Sequence, residues 1–298
     1  MDNQNVSQYK VRTWSELDRI YTFCRRQLNL KPDWRYGPAR VHEVAKEGFE
    51  GISKYTTLQN KVYCDLGCGT YHPYGISAVM FLNGSSSTIS IDLHGSNTQR
   101  AAEALADLLC DCCWPDRWNW SNVDKLDFLS RVQQFDMQAL REGRLDDGLA
   151  GLPLRHILTD IHNPVLEEES IDIMTSRAVL EHFLNFNVAV DRLFALMRKG
   201  GVACHVIDLV DHRAYISSDY HFWSFLAEEE DWSDGLVNRL RSCEIRPHFE
   251  RAGFEILCYE NRIREMPKGF MKQVAGRFRE MTEEELSATT VFCVLRKP

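Results

Sequence analysis

A glycine-rich segment and a later acid have the types and the spacing to hold a nucleotide-like ligand. Residues 65–70 read DLGCGT, and Asp92 follows Gly69 by 23 residues. Glycines let the backbone turn tightly and approach a ligand without a Cβ in the way. An acid about 20 residues after such glycines can accept hydrogen bonds from ribose hydroxyls. The structural alternatives are a turn without a ligand and an Asp92 that only caps the next helix.

The same segment differs from the loop of a dinucleotide-binding protein. That loop reads G-x-G-x-x-G and uses its third glycine beside a pyrophosphate, whereas residues 67–72 read GCGTYH. Asp65, placed before the first glycine, would repel a pyrophosphate and attract an ammonium group. Because S-adenosylmethionine carries an amino acid end and no phosphate, the pattern favours this methyl donor over NAD.

Two histidines are candidates for removing a proton from an acceptor, since histidine titrates in the useful range. His182 follows the fourth strand-like run of the chain. His212 follows the fifth, together with Asp208 and Asp211, and an Asp–His pair could orient a base. The alternatives are a histidine that only packs or hydrogen-bonds, and a helix cap or salt-bridge group. No metal site is predicted, although His205, Asp208 and His212 could in principle bind a divalent ion.

The composition is that of a globular chain without the charge of a nucleic-acid-binding protein. Its 298 residues are 44% hydrophobic and 26% charged, with a net charge of −8. Phosphate-rich partners are bound by clustered Lys and Arg, so no nucleic acid partner is expected. Neither a signal-peptide pattern nor an apolar run of roughly 18–20 residues is found, so no membrane association is expected. We therefore expect a cytoplasmic protein with reduced thiols and a small-molecule acceptor, and we leave a homodimer open.

Strand-like and helix-like runs alternate along the chain. The strand-like runs are residues 62–66, 88–92, 156–159, 171–175 and 202–207. This alternation predicts parallel β-α-β units in a sheet that is covered on both faces. In such a sheet the ligand lies beyond the carboxyl ends of the strands, which is where the glycines, acids and histidines above are found.

Four segments make up the predicted domain organisation. Residues 1–56 are predicted as an N-terminal helical cap, ahead of the main α/β domain at residues 57–298. Within that domain, residues 110–150 are predicted as a helical insertion that could cover the substrate. Residues 213–243 are predicted as a lid-like segment because they are aromatic and acidic, although core packing or a dimer contact would also explain this composition.

The residues at the strand ends resemble class I S-adenosylmethionine-dependent methyltransferases, especially the group called methyltransferase type 11. Five segments carry the resemblance: residues 65–70 (DLGCGT), 91–93 (IDL), 159–161 (TDI), 169–182 (ESIDIMTSRAVLEH) and 196–202 (LMRKGGV). They have the order and the helix-sized gaps of the family. The resemblance implies S-adenosylmethionine as the cofactor and S-adenosylhomocysteine as the product.

The fold that the resemblance implies is a doubly wound α/β fold with a mostly parallel seven-stranded sheet, the Rossmann-like methyltransferase fold, here with an N-terminal helical preface. Residues 249–256 and 290–294 look like the family's last helix and its sixth and seventh strands, of which the seventh is antiparallel.

The predicted site combines the strand-end residues with this resemblance. The expected cofactor-binding residues are Asp65, Gly67, Cys68, Gly69, Thr70, Asp92, Leu93, Asp160, Ile161, Ser176 and Arg177. The catalytic candidates are His182 and His212, and the predicted acceptor contacts are Tyr36, His72, His182, Asp208, Tyr220 and Trp223. The expected reaction is methyl transfer to a small molecule, with O-methylation of a sugar or natural-product intermediate favoured. N-methylation of a small amine and a non-catalytic partner module are the alternatives.

Overall fold

Seven strands form one sheet in the computed structural model, which describes residues 37–161, 165–229 and 237–298. The strands are β1 (Val62–Leu66), β2 (Ser87–Asp92), β3 (Leu154–Leu158), β4 (Ile171–Arg177), β5 (Met197–Asp208), β6 (Glu255–Ile263) and β7 (Ala288–Arg296). Their order in the sheet is β3-β2-β1-β4-β5-β7-β6. All neighbouring pairs from β3 to β5 are parallel, and β7 is antiparallel to both β5 and β6. The predicted fold class is confirmed.

Helices cover both faces of this sheet. The α-helices of the described residues are α1 (Pro38–Ile52), α2 (Gly75–Leu82), α3 (Thr98–Cys112), α4 (Pro115–Trp118), α5 (Lys125–Val132), α6 (Met137–Arg141), α7 (Leu145–Gly148), α8 (Phe186–Leu196), α9 (Ser242–Ala252) and α10 (Glu283–Ser287). One apolar core lies between the sheet and α1, α2, α3 and the short helices α4 to α7. A second core lies between the sheet and α8 and α9. Because both faces are covered, the central strands β1, β2 and β4 are buried almost throughout rather than on alternate residues.

The first strand has the predicted bounds, and β5 differs most from its prediction. The sequence predicts a strand at residues 202–207, but β5 already begins at Met197, directly after α8 ends at Leu196. Met197 already pairs with Ile171 in β4, so the sheet extends to this residue. Gly200 adopts a φ of 77°, which a glycine accepts at little cost.

Helix α1 approaches the sheet closely because it presents two glycines to it. A Cβ at Gly51 would lie 2.7 Å from Cys204 Sγ, and one at Gly48 would lie 3.3 Å from Thr175 Cγ2. Val41 and Ile52 on the same helix are buried in the core. This helix is the described part of the predicted N-terminal helical segment, and residues 1–36 lie outside the described residues.

The segment at residues 110–150 contains four short helices, α4 to α7. Its Trp118 is fully buried, and the Trp118 carbonyl accepts a 2.8 Å hydrogen bond from the Asn83 side chain. Arg131 donates to the carbonyls of Phe81 and Ser85, at the end of α2 and just before β2. These contacts anchor the first half of the segment near the amino ends of the strands, away from the edge where the ligand is expected.

The sheet order creates a switch point between β1 and β4. From β1 the chain proceeds outward to β2 and β3, and it then crosses back to form β4 on the other side of β1. Ligands of open α/β sheets bind in the crevice beyond the carboxyl ends of the strands at such a point. In the described part of the chain, no helix is long and apolar enough to cross a membrane.

Candidate active site

A cavity of about 830 Å³ lies at the switch point, within the size range of small-molecule sites. It is bounded by the segments that follow β1, β2, β3 and β4. The lining residues are Leu66, Gly67, Gly69, Thr70, Tyr71, Ile91, Asp92, Leu93, His94, Thr159, Asp160, Ile161, Ala178, Val179, His182, Phe183, Leu184 and Asn185. Eight predicted site residues are therefore brought together here.

The turn after β1 requires glycine for two different reasons. Gly67 has a φ of 72°, and a Cβ on it would lie 2.1 Å from Val179 Cγ2. Gly69 has a φ of 78°, but a Cβ on it would meet no described atom within 4 Å. Both residues need the left-handed conformation, and Gly67 also allows the turn after β1 to pack directly on the segment after β4.

Asp92 is held in place at the cavity by two backbone amides. Its Oδ2 accepts a 2.8 Å hydrogen bond from Gly69 N–H, and its Oδ1 accepts a 2.9 Å hydrogen bond from His94 N–H. Each carboxylate oxygen has a second lone pair, so both can still accept from hydroxyl groups. The alternative that Asp92 caps the next helix is wrong, because the N-cap of α3 is Asn97, whose side chain accepts from Arg100 N–H.

Asp65 is the second carboxylate beneath the glycine turn. Its side chain is buried, and its Oδ2 has no hydrogen-bond partner among the described residues. Burial, with a further contribution from the charge of Asp92, raises the pKa of Asp65 to about 7. A buried polar atom without a partner is rare in folded proteins and calls for an explanation such as an absent ligand. The ammonium group of an amino acid end would supply the missing donor.

The part of the cavity formed by the segments after β2 and β3 combines apolar and polar side chains. Ile161 is buried, whereas Leu93 is 64% exposed although it borders the cavity. Asp160 and Thr159 border the same region after β3. A flat aromatic ligand could pack between the two aliphatic side chains while the Asp160 carboxylate accepts a hydrogen bond from it.

Four predicted cofactor residues do not border this cavity, and the buried Asp65 described above is one of them. Cys68 donates its backbone N–H to Ile91 O at 3.1 Å, and its side chain lies outside the lining. Ser176 Oγ is 2.8 Å from His205 Nδ1, and Arg177 forms an ion pair with Glu47 of α1. Successive side chains of β4 point to opposite faces of the sheet, so both of these side chains point into the helix layers instead.

Sequence reasoning missed part of the cavity wall. Val179, Phe183 and Leu184 form an apolar surface after β4, and Tyr71 and His94 extend the two predicted motifs by one residue each. Their positions could have identified them as cavity residues, since all of them lie in the segments that directly follow a strand. The backbone after β4 also bends sharply, because Ala178 adopts a φ of 53° that is rare for a residue with a side chain.

The two predicted catalytic histidines lie side by side. The rings of His182 and His212 meet edge to face, with centroids 5.1 Å apart, and His182 borders the cavity. His212 Nε2 is 3.6 Å from Asp208 Oδ2 and 3.9 Å from Glu181 Oε1. Burial, with a further contribution from the charge of Asp208, raises the pKa of Glu181 to about 8. No sequence pattern had singled out Glu181.

Of the two acids predicted beside His212, Asp208 faces its ring and Asp211 does not. Both carboxylate oxygens of Asp211 bind the guanidinium group of Arg213, with the shortest contact at 2.6 Å. Asp211 also caps the short 3₁₀ helix at His212–Tyr215 by accepting from Arg213 N–H. The acid that faces His212 is Asp208, four residues earlier, because adjacent residues in a tight turn point in different directions.

The remaining predicted acceptor residues are not brought to the cavity. Trp223 is buried in a separate apolar cluster, where its Nε1 donates to Leu286 O. The ring of Tyr220 packs against the guanidinium group of Arg213, with 4.4 Å between the ring centroid and the guanidinium carbon. His72 is not among the residues that line the cavity. Tyr36 lies outside the described residues.

Comparison with known proteins identifies the family. A family model for a methyltransferase domain matches residues 39–259, which are 221 of the 298 residues. The chain belongs to the methyltransferase domain family. It is an S-adenosylmethionine-dependent methyltransferase with the class I fold. No curated protein shows significant sequence similarity to this methyltransferase.

Solved structures are similar to this methyltransferase at low identity. An S-adenosylmethionine-dependent methyltransferase from Mesorhizobium loti is 15% identical with a TM-score of 0.47, over 83% of this chain and 95% of that one. A putative S-adenosylmethionine-dependent methyltransferase from Listeria monocytogenes is 14% identical with a TM-score of 0.45, over 85% and 98%. The geranyl diphosphate C-methyltransferase from Streptomyces coelicolor A3(2) is 11% identical with a TM-score of 0.49, over 86% and 79%. Similarity at this level indicates no acceptor for this chain.

Proposed function

We propose that this methyltransferase transfers a methyl group to a hydroxyl oxygen of a small acceptor, such as a sugar or a natural-product intermediate. The observation that carries the proposal is His182, which borders the cavity and is backed by His212 and by the carboxylates of Glu181 and Asp208. A hydroxyl group is a weak nucleophile until its proton is removed or its oxygen is polarised. A cluster of this kind at the cavity wall could do either.

The cofactor is assigned to the cavity residues that fit its chemical groups. Asp65, which is buried directly before the glycine turn, is proposed to face the ammonium group. The glycine turn at residues 67–70 is proposed to hold the carboxylate end, and Asp92 is proposed to bind the ribose hydroxyls. Asp160 and Ile161, with Leu93, are proposed to hold the adenine. When bound, S-adenosylmethionine supplies an activated methyl group on a sulfonium. The protein therefore contributes mainly alignment of the acceptor and exclusion of water.

The proposal extends to the cellular compartment of the enzyme and to the type of its acceptor. The nine cysteines of the described residues are all free thiols, which suits a reducing compartment such as the cytoplasm. The net charge of −8 favours a small-molecule acceptor over a nucleic acid. A homodimer remains open.

The test is release of S-adenosylhomocysteine with a panel of acceptors, followed by mass spectrometry. The panel contains glycosides and hydroxylated aromatic compounds, each matched with an analogue in which an amine replaces the hydroxyl group. The proposal expects methyl transfer to hydroxylated acceptors and not to the amine analogues. Methylation of the amines alone would establish the N-methyltransferase alternative. Cofactor binding without turnover on any acceptor would favour the partner-module alternative.

A further inference from the structure

Glu181, His182 and His212 form a compact donor set beside the cavity. One ligand atom from each of the three side chains lies within 4.8 Å of the others. His212 Nε2 is 3.9 Å from Glu181 Oε1 and 3.6 Å from Asp208 Oδ2. Both separations are too long for hydrogen bonds, which require roughly 3.2 Å or less between N and O. His212 is therefore close to both carboxylates without a hydrogen bond of normal length to either.

These separations suit atoms that share one cation. Nitrogen and oxygen ligands lie about 2.1 Å from a first-row transition metal, so two of them can be at most about 4.2 Å apart. The contacts of His212 with Glu181 and Asp208 already satisfy this limit. Small side-chain rotations would bring the ligand atom of His182 within about 4.2 Å of the other ligand atoms.

The carboxylate of Glu181 is the strongest indication of an absent partner. Its side chain is 2% exposed, and neither of its oxygens makes a hydrogen bond of good geometry with a described residue. The Nε2 of His212 is buried and also without a partner in the described part of the chain. Arg177, the basic residue nearest in sequence, forms its ion pair with Glu47 instead. A buried carboxylate is strongly unfavourable unless it takes up a proton or a cation or donors surround it.

We propose that Glu181, His182 and His212 bind one divalent transition-metal ion, such as Mn²⁺ or Zn²⁺, and that Asp208 adds negative charge beside it. Imidazole ligands suit these ions, whereas Mg²⁺ prefers oxygen ligands and water. Three protein ligands leave coordination positions open for a water or a substrate. Because His182 borders the cavity, an open position can face the acceptor and hold its hydroxyl oxygen. This role of the ion rests on the proposed function, whereas the ion site itself does not.

The site is tested by calorimetric titration of the EDTA-treated, dialysed protein with MnCl₂, ZnCl₂ and MgCl₂. The expected result is one Mn²⁺ or Zn²⁺ per chain, with Mg²⁺ bound at least about tenfold more weakly. Glu181→Gln keeps the shape of the side chain and is expected to weaken Mn²⁺ binding by at least about 100-fold, as is His212→Ala. His42→Gln is the matched control, because His42 packs on Trp118 and Trp120 away from the cluster, and its affinity should equal that of the wild type. Absence of Mn²⁺ and Zn²⁺ binding to the wild type, or unchanged binding to Glu181→Gln, would overturn the site.

Titration with S-adenosylmethionine separates this inference from a folding defect and from the proposed function. Each variant should bind the cofactor as the wild type does, because the cofactor residues are not changed. Binding of Mn²⁺ through Glu181 without methylation of any hydroxylated acceptor would contradict the proposed function and support the ion site. Full methyl transfer to a hydroxylated acceptor by EDTA-treated protein would contradict the role of the ion.

Discussion

Two carboxylates lie at the glycine turn: Asp92 borders the cavity, and Asp65 is buried directly before the turn. Asp92 is fixed by the amides of Gly69 and His94 and has lone pairs left for hydroxyl groups. Asp65 is buried beneath the same turn with an oxygen that lacks a described partner. Both residues were predicted from the sequence, because each stands at a fixed offset from the glycines. Glu181 could not be predicted in this way, since only the packing of the chain around it reveals that it is buried.

Asp92→Ala is expected to lower the affinity for S-adenosylmethionine by about 10-fold to 150-fold, because hydrogen bonds to a charged group contribute about 1.5–3 kcal/mol. Asp92→Asn should lose less, since its side-chain oxygen can still accept from the Gly69 amide and hold the turn. Isothermal titration calorimetry measures both variants. Equal affinity of Asp92→Ala and the wild type would remove Asp92 from the ribose site.

Cofactor affinity is expected to rise between pH 6 and pH 7 because of Asp65. Its pKa is raised to about 7, so the carboxyl group is mostly neutral at pH 6 and cannot pair with an ammonium group. The ionised fraction grows from about one tenth to about one half over this range, while an α-ammonium group with a pKa near 8 stays protonated. The affinity should therefore rise by about fivefold, as measured by calorimetry at the two pH values. Asp65→Asn is the control and should show a flat profile; a flat profile in the wild type would contradict the assignment.

The strands and the turns that follow them position the site residues, and most of these strands could be predicted from the sequence. The strand-like runs and the glycine turn were predicted because β-prone residues and glycines act locally. The bounds of β5 were wrong because Met197 joins the sheet through pairing with β4, which a helical pattern cannot reveal. The assignment of Ser176 and Arg177 to the cavity failed for a related reason, since strand periodicity turns both side chains into the helix layers.

Gly67→Ala is expected to destabilise the fold more than Gly69→Ala. Both substitutions force a side chain into the left-handed region, at about 1–2 kcal/mol. Only the Cβ at position 67 would also overlap Val179, which adds about 1–3 kcal/mol of overpacking. Thermal unfolding followed by circular dichroism measures both variants.

The overlap itself is tested with a second substitution. Val179→Ala in the Gly67→Ala background should recover part of the lost stability, because it removes the methyl groups that a Cβ at position 67 would meet. Equal melting temperatures of Gly67→Ala and Gly69→Ala would contradict this account of the turn.

At the scale of the whole molecule, the switch point of the sheet determines where the cavity lies. The crossing of the chain from β3 to β4 brings the segments after β1, β2, β3 and β4 around one cavity. This arrangement could be predicted, since alternating strands and helices allow few topologies. The acceptor could not, because it depends on the shape of a wall built from residues distant in sequence. The domain bounds proposed for the cap, the insertion and the lid stay predictions.

The most direct test of the central claim is a calorimetric titration of the wild-type protein with S-adenosylmethionine, S-adenosylhomocysteine and NADH. The cavity, with an acid for the ribose and no pyrophosphate loop, predicts one bound molecule per chain for each of the first two ligands and no binding of NADH. Binding of NADH in place of the methyl donor, or absence of binding of both S-adenosyl compounds, would contradict the assignment of this cavity.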